Sequence, residues 1–335
     1  MIKKNSQKLH ILKIDKKDRR ILYELDLDGR VPIAKIARRA GLSRQSARYR
    51  LNSLLKRNAL WGFITFIDYS RLGFYSCDVW IQLKDIPPAK KSEFINHFLS
   101  HPNNLWISEC IGRWDMCVSL IARNIGHFYK MFDKAQDKFP DVIRDYTVSF
   151  NVSGTWHSRT HLIDESEQPE LLWHWESDHE IVKTDKTDRK ILALLAENAR
   201  IPTREIARRI CVDPATVVRR IGRLEKKKVI QGYHGMSEGR IFGLSRYEIL
   251  VKFRGMTPRQ ERSLEEFCSS NPYLYFYIKC VGRWDADIVA EVKSTEHLQS
   301  ILSEMRETFP DTVLDYEAMP ILKEHRMNFF PGSLL

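Results

Sequence analysis

Cationic side chains are concentrated in two short segments of this 335-residue chain. Residues 11–60 carry 14 Lys or Arg and 5 Asp or Glu, and residues 181–230 carry 14 Lys or Arg and 6 Asp or Glu. The whole chain, by contrast, has a formal charge of only +11. Apart from a short basic N-terminal tail, the rest is therefore mildly acidic. Because guanidinium and ammonium groups neutralise phosphates, these segments predict two separate surfaces for a polyanion.

The third predicted helix of the first segment carries side chains that could read DNA bases. Ser43 is placed to cap this helix, and Ala47, Leu51 and Leu54 recur at helical spacing, which predicts one buried face. Three helices with a glycine-containing turn before the third are typical of a helix-turn-helix, and a strand predicted at residues 60–67 adds a wing. The residues that we predict to contact DNA here are Arg38, Arg39, Ser43, Arg44, Gln45, Ser46, Arg48, Tyr49 and Arg50.

The second segment keeps the same helical scaffold but presents a different outer face. Asp213 replaces the serine cap, and Ala215 and Val218 stand where the first segment has Gln45 and Arg48. A helical protein-interaction module with a solvated basic face is the alternative interpretation of both segments. The residues that we predict to contact DNA here are Arg208, Arg209, Thr216, Arg219, Arg220 and Arg223.

The two segments belong to a tandem repeat with a constant offset of 170 residues. Residues 110–115 (CIGRWD) recur as residues 280–285 (CVGRWD), and residues 139–141 (FPD) recur as residues 309–311. A constant offset over so long a stretch predicts two copies of a multidomain unit rather than a solenoid.

Behind each basic segment the apolar pattern predicts the order βαββαβ. Tyr75–Lys84 alternates apolar and polar residues, and two further strands, Leu105–Ile111 and Asp115–Ala122, flank a tight turn. The predicted fold class is therefore α+β, with tandem winged helix-turn-helix domains each followed by a ferredoxin-like βαββαβ domain. One sheet face lacks helices and carries Trp80, so we expect the sheets of the two copies to associate as an intramolecular pseudo-dimer.

Taken together, these motifs resemble those of the Lrp/AsnC family, the feast/famine regulators. The resemblance is carried by DxxDRxIL in both copies, by residues 213–225 (DPATVVRRIGRLE), by residues 229–233 (VIQGY) and by the Gly-Arg-Trp-Asp turns. Ordinary members have one DNA-binding head and one regulatory domain, called RAM, whereas this chain has two of each. The resemblance implies DNA binding by the heads, self-association through the RAM sheets and small effectors such as amino acids near the turns. The effector positions that it implies are Gly112, Trp114, Asp115, Gly282, Trp284 and Asp285.

A purely structural role is the alternative for these turns. Glycine relieves backbone strain there, and aspartate caps free N–H groups. An aromatic side chain in a short turn is costly to expose, which favours a binding role.

Six segments are predicted along the chain. The linker contains Trp173 and Trp175, which predict that it docks against the rest of the chain. Its four histidines, at positions 157, 161, 174 and 179, match no zinc-ligand spacing and have no cysteine beside them, so we predict no metal and no cofactor. The segments are head 1 (11–69), RAM 1 (73–153), the linker (154–181), head 2 (182–239), RAM 2 (243–322) and a tail (323–335).

Composition favours a cytoplasmic protein. No stretch approaches the roughly 20 apolar residues of a membrane span, and the basic N-terminus lacks the apolar run of a signal peptide. The six cysteines form no CxxC pair and sit mostly in apolar runs, so we expect them to be reduced and buried.

These observations predict a transcriptional regulator that binds double-stranded DNA at an asymmetric site and is not an enzyme. No catalytic triad, paired-carboxylate cleft, phosphate-binding glycine loop or pocket cluster of His, Arg and Tyr is evident, so no catalytic residue is predicted. Two alternatives stay open. One is an enzyme like the siroheme decarboxylases of haem biosynthesis, which share this architecture, and the other is a basic protein that compacts DNA without sequence preference.

Overall fold

The computed structural model describes residues 12–164, 166–237 and 239–335. Head 1 begins where Asp15 caps its first helix by accepting a hydrogen bond from the backbone N–H of Asp18. Ile21, Leu22 and Leu25 form the apolar stripe of that helix and are almost completely buried. The elements of head 1 are α1 (Lys16–Leu27), α2 (Ile33–Arg39), α3 (Arg44–Lys56) and the wing strand β1 (Leu60–Ile67).

The first sheet domain has the predicted order βαββαβ. Its last strand continues past the predicted end near residue 152, and the linker returns as a further strand that pairs with it. Trp173 of the linker stacks on Phe66 of β1 with ring centroids 4.2 Å apart, so the linker docks as expected. The elements are β2 (Tyr75–Leu83), α4 (Pro88–Ser100), β3 (Asn104–Cys110), β4 (Met116–Ala122), α5 (Ile125–Lys138), β5 (Ile143–His157) and the linker strand β6 (Leu171–Glu176).

The second copy repeats both domains. Its first helix begins with a reciprocal capping box between Asp185 and Asp188. The elements of head 2 are α6 (Lys186–Glu197), α7 (Thr203–Ile210), α8 (Pro214–Lys226) and the wing strand β7 (Ile230–Ser237). Those of the second sheet domain are β8 (Ser245–Phe253), α9 (Pro258–Ser270), β9 (Leu274–Gly282), β10 (Ala286–Val292), α10 (Thr295–Thr308) and β11 (Val313–Met327).

The two four-stranded sheets join at both edges and close into a ring. The strands follow the order β2-β4-β3-β11-β8-β10-β9-β5, and β5 pairs back onto β2, with β6 added beside β5. Cys110 of β3 lies opposite Ile321 of β11, and Phe150 of β5 lies opposite Val281 of β9. The sequence predicted that the sheets would associate but not that their edges would pair. Inside the ring lies a cluster from both copies: Trp80, Cys110, Trp114, Cys117, Leu250, Cys280, Trp284, Met319 and Ile321.

The two heads are also joined to each other. Their wings β1 and β7 pair antiparallel. Arg30 donates from Nε to the carbonyl oxygen of Ala199 (2.6 Å), and its repeat mate Arg200 donates from Nε to that of Gly29 (2.6 Å). Gly29 must lack a side chain, because a Cβ there would lie 2.7 Å from the backbone of His234.

The structure thus confirms the predicted α+β class, with each winged helix-turn-helix followed by a βαββαβ domain. Within the described residues, no helix is both long enough and apolar enough to span a bilayer.

Candidate nucleic-acid interface and buried polar cluster

The third helix of head 1 presents a polar face to solvent. Ser43 caps it by accepting a hydrogen bond from the backbone N–H of Ser46 (3.1 Å), which fixes the first turn. Ala47, Leu51 and Leu54 hold the opposite side in the core. The predicted contact residues Arg44, Gln45, Arg48 and Tyr49 are exposed, and Tyr49 reaches 75% exposure.

The matching helix of head 2 presents a smaller and more apolar face. Asp213 caps it by accepting hydrogen bonds from the backbone N–H groups of Ala215 (2.8 Å) and Thr216 (3.3 Å). Val218 is 57% exposed, and Arg219 beside it is also exposed.

Two of the predicted DNA contacts are instead held by acidic residues of their own head. Arg50 lies 2.8 Å from Asp15 and from Asp18, and its repeat mate Arg220 contacts Asp185 (2.7 Å) and Asp188 (2.9 Å). Each arginine therefore fastens the third helix to the start of the first.

Carboxylates also hold other predicted contacts. Arg223 pairs with Asp188, Arg39 pairs with Glu24, and both Arg208 and Arg209 pair with Glu205. Hydrogen bonds from these last two arginines lower the pKa of Glu205 to about 2. Arg38, by contrast, is exposed and has no ion pair among the described residues.

The Gly-Arg-Trp-Asp turn of the first copy is built from buried side chains. Gly112 has φ +133°, which favours glycine. Trp114 is 1% exposed and donates from Nε1 to Glu317 (2.9 Å), and the carboxylate of Asp115 accepts from the backbone N–H of Leu83 (2.7 Å).

The second turn is similar, except that Nε1 of its tryptophan has no hydrogen-bond partner in the described residues. Trp284 is buried, and the carboxylate of Asp285 accepts hydrogen bonds from the backbone N–H of Phe253 and from Nζ of Lys252 (both 2.8 Å). Gly282 has φ +154°. At both turns the tryptophan is thus buried and the aspartate is held by hydrogen bonds, whereas the glycine and arginine that precede them face solvent.

A buried polar cluster lies where head 1, the linker, the wing of head 2 and the second sheet meet. Arg159, which follows β5, donates from its side chain and its backbone N–H to the carboxylate of Asp26 at the end of α1. It also donates to Oγ of Ser237 on β7 (2.9 Å) and lies 3.7 Å from Glu291 on β10. One side chain of the linker therefore contacts three other parts of the chain.

Two histidines flank this arginine. Nδ1 of His161 lies 2.8 Å from the carbonyl oxygen of Pro272, and Nδ1 of His234 lies 2.7 Å from that of Asp26. Burial lowers the pKa of both imidazoles to about 4, so both are neutral near pH 7. Because a carbonyl only accepts, each Nδ1 carries the proton and each Nε2 is an acceptor.

This cluster corrects one conclusion of the sequence analysis. Arg159, His161, His234 and Tyr275 are the His, Arg and Tyr cluster that the order of residues did not reveal. They line or border a cleft with about 20 Å³ of space, enough for one water molecule. No group of three or more His, Cys, Asp or Glu able to hold a metal occurs within the described ranges.

The cluster is present in only one of the two repeat-related positions. At the offset of 170 residues, Asp26 corresponds to Ala196, Arg159 to Phe329, His234 to Ile64 and Glu291 to Ile121. Ile64 and Ile121 belong to apolar clusters. The fold therefore accommodates apolar side chains at the repeat-related junction. Charged side chains occur at only one of the two junctions.

Comparisons with known proteins agree with this architecture. The model of the AsnC-type helix-turn-helix domain matches residues 14–55 and 185–225. An uncharacterized HTH-type transcriptional regulator of Pyrococcus furiosus is 30% identical over 127 residues, which are 36% of this chain and 84% of the relative. An HTH-type transcriptional regulator of Methanocaldococcus jannaschii is 31% identical over 121 residues, 36% of this chain and 80% of the relative.

The duplicated heads, the paired sheets and these relatives define a helix-turn-helix transcriptional regulator. More particularly, the chain belongs to the Lrp/AsnC family, as a tandem duplication of the unit that its relatives carry once.

Solved structures of an enzyme match nearly the whole chain. The siroheme decarboxylase NirDL has a TM-score of 0.63 and 11% sequence identity, and the match covers 94% of both chains. The prediction that this chain is not an enzyme is therefore wrong as a reading of its architecture, because the fold that spans both copies is also the fold of an enzyme. At this identity the likeness shows the fold alone.

Proposed function

We propose that the chain binds double-stranded DNA through α3 and α8 and regulates transcription. The observation that carries the proposal is the exposure of Arg38, Arg44, Arg48 and Arg219, none of which has an ion pair in the described part of the chain. Uncommitted arginines beside a capped, solvent-facing helix can reach both phosphates and base edges. The arginines held by carboxylates instead maintain the shape of each head.

The two heads in one chain bear different recognition faces, so the proposed operator is asymmetric. Helix-turn-helix pairs read half-sites about 34–36 Å apart, one turn of the duplex. The paired wings and the closed ring of strands would hold the heads at a fixed separation for this purpose.

Binding to duplexes selected from a random pool tests the proposal. The chain should prefer selected over non-cognate duplex near physiological salt, and Arg44→Ala with Arg48→Ala should change the preferred sequence. Arg144→Ala with Arg259→Ala, at exposed positions of the two sheet domains, is the matched control. Equal binding to all duplexes would favour DNA compaction, and failure to bind duplex in dilute buffer would refute the proposal.

A small effector such as an amino acid is a further part of this proposal. Gly112 and Gly282 with their neighbours Arg113 and Arg283 are the solvent-facing part of the turns, so an effector there would contact backbone N–H groups and guanidinium groups. Thermal unfolding with each of the common amino acids tests it, and Arg113→Ala should abolish any stabilisation at that turn. A cytoplasmic location is also part of the proposal, because all six cysteines are free and an exposed thiol such as that of Cys211 persists in a reducing compartment.

A decarboxylase is the second candidate function. Two observations favour it: the whole-chain likeness to NirDL and the cluster of Arg159, His161, His234 and Tyr275 beside the cleft. A tetrapyrrole is far larger than one water molecule, so it could enter only if Trp61 and Arg240 at the cleft moved aside.

Incubation with siroheme tests this candidate directly. A Soret band that follows the protein through gel filtration, together with loss of carbon dioxide from siroheme detected by mass spectrometry, would support it. His234→Gln should then abolish turnover, whereas His174→Gln on the exposed linker should not. The absence of both signals would leave DNA binding as the function.

A further inference from the structure

The two heads differ in how much of their positive charge is available to DNA. Residues 33–56 of head 1 contain seven Lys or Arg and no acidic residue, whereas residues 203–226 of head 2 contain seven and three acidic residues. Lys35 of head 1 is replaced by Glu205, which holds Arg208 and Arg209. Head 1 is therefore the more cationic surface.

The side chains that face solvent from the two third helices also differ in chemistry. Arg44 and Arg48 of head 1 end in forked hydrogen-bond donors, and neither is held by a carboxylate in the described residues. Their repeat mates are Pro214 and Val218, which have no side-chain hydrogen-bonding group, and Val218 is 57% exposed. An apolar side chain at that exposure, on a helix that caps and packs normally, has no partner within its own head.

We propose that the heads read opposite ends of a directional operator by different chemistry, an inference that rests on the proposed function. Head 1 reads guanine through Arg44 and Arg48. Head 2 reads thymine through contact of Ala215 and Val218 with the C5-methyl group, and Arg219 contacts a phosphate.

The major groove supplies a partner for each chemistry. Guanine presents two acceptors, O6 and N7, that match a guanidinium fork, and thymine presents the only methyl group on a base edge. A bidentate arginine contact discriminates against the wrong base by about tenfold or more. Burial of one methyl group contributes about fourfold to affinity. Head 1 therefore supplies most of the affinity, and head 2 sets the direction of the complex.

Cys211 makes it possible to identify which end of the duplex each head occupies. It lies at the end of α7, two residues before the cap of α8, and it is the exposed one of the six cysteines, which all lie in the described ranges. An iron chelate attached to this thiol should cleave selected duplex near head 2 only. Cys211→Ser, treated with the same reagent, controls for cleavage from elsewhere.

Two base analogues then test the two chemistries separately on the selected duplex. Uracil in place of thymine removes only the methyl group, and 7-deazaguanine removes only the N7 acceptor. Uracil in the half cleaved from Cys211 should weaken binding about fourfold per contacted base, and the effect should vanish with Val218→Ala at the base that Val218 contacts. 7-Deazaguanine in the other half should weaken wild-type binding about tenfold and should not weaken binding of the Arg44→Ala, Arg48→Ala variant further.

The outcomes separate this inference from the function on which it rests. The inference would be overturned if the chain binds specifically but uracil weakens binding equally in both halves. It would also be overturned if 7-deazaguanine weakens binding in the half that head 2 occupies. In both cases the DNA-binding function would stand. Complete failure to bind duplex in dilute buffer would overturn both. Exchange of the two side chains, Arg48→Val with Val218→Arg, should reduce the preference of the chain for one direction on the same duplex.

Discussion

The guanidinium of Arg159 lies 2.6 Å from the carboxylate of Asp26, and both side chains are almost completely excluded from solvent. They come from different domains, separated by 133 positions in the chain. Burial alone would raise the pKa of Asp26, but the charge of Arg159 and the hydrogen bond from its backbone N–H more than offset this, so the pKa is lowered. The pair thus holds head 1 against the sheets in charged form.

Loss of one partner should destabilise the chain strongly. Arg159→Met leaves the carboxylate of Asp26 buried without a counter-charge, which costs about 3–5 kcal/mol. The midpoint of urea unfolding should fall, whereas Arg48→Met, which changes an exposed arginine, should leave it nearly unchanged. Because the repeat-related junction is apolar, Arg159→Phe with Asp26→Ala should recover most of the loss. A double variant as unstable as the single one would show that the charge itself is required.

Stability should decrease as pH falls below about 6.5. His161 and His234 have folded-state pKa values of about 4, below the unfolded value, so the unfolded chain binds more protons between these limits. Asp26, whose pKa is also lowered on folding, adds a further loss below its unfolded value near 3.9. In the variant His161→Gln with His234→Gln, the unfolding midpoint should fall less between pH 6.5 and pH 4. In His174→Gln, at an exposed position, it should fall as it does in the unsubstituted chain. An unchanged slope in the double variant would contradict the buried, neutral state of these imidazoles.

Removal of the carboxylate of Glu205 should strengthen DNA binding by head 2. Glu205→Gln releases Arg208 and Arg209, which both pair with that carboxylate. If both then reach phosphates, the slope of log affinity against log salt concentration should steepen by about two. Glu304→Gln on α10, remote from the heads, is the charge-matched control. The same change in both variants would mean that net charge alone sets the affinity.

The two repeat-related turns should tolerate alanine unequally. Both glycines have positive φ, but a Cβ at Gly282 would lie 2.4 Å from the carbonyl oxygen of Val148, whereas at Gly112 the nearest atom is Cγ of Met319 at 3.5 Å. Gly112→Ala should cost about 1–3 kcal/mol from backbone strain, and Gly282→Ala should cost more because the strands must also shift. Thermal unfolding of the two variants compares them directly, and equal losses would argue against the close approach of β5 and β9.

The repeat, the three-helix heads and the βαββαβ order could be predicted because each follows from local periodicity. The capped third helices are an example: Ser43 and Asp213 precede apolar residues at helical spacing, and the structure places both as caps. The ion pairs of Arg50 and Arg220 could not be predicted in the same way, because position on a helix does not show which acidic residue lies opposite. A signal was present, however, since the acidic pair in each DxxD motif precedes its arginine by the same spacing in both copies.

The closed ring and the buried cluster could not be predicted because they depend on contacts between distant segments. Asp26, His234 and Glu291 lie in three different elements, Arg159 lies in the linker, and no periodic pattern connects them. A comparison of the two copies offers one clue: each charged residue of the cluster corresponds to alanine, isoleucine or phenylalanine in the other copy. The conclusion that the chain is not an enzyme rested on the apparent lack of such a cluster, and the likeness to NirDL contradicts it.

Pairing of β3 with β11 and of β5 with β9 limits which other subunits can associate with this protein through its sheets. The edges through which separate subunits could meet are already occupied by the chain's own second half. A separate subunit with a single RAM domain therefore cannot pair with β3 or β9 in place of the second copy, and dilution should not separate the two sheets. The proposed DNA binding would then not depend on the concentration of related proteins in the cell.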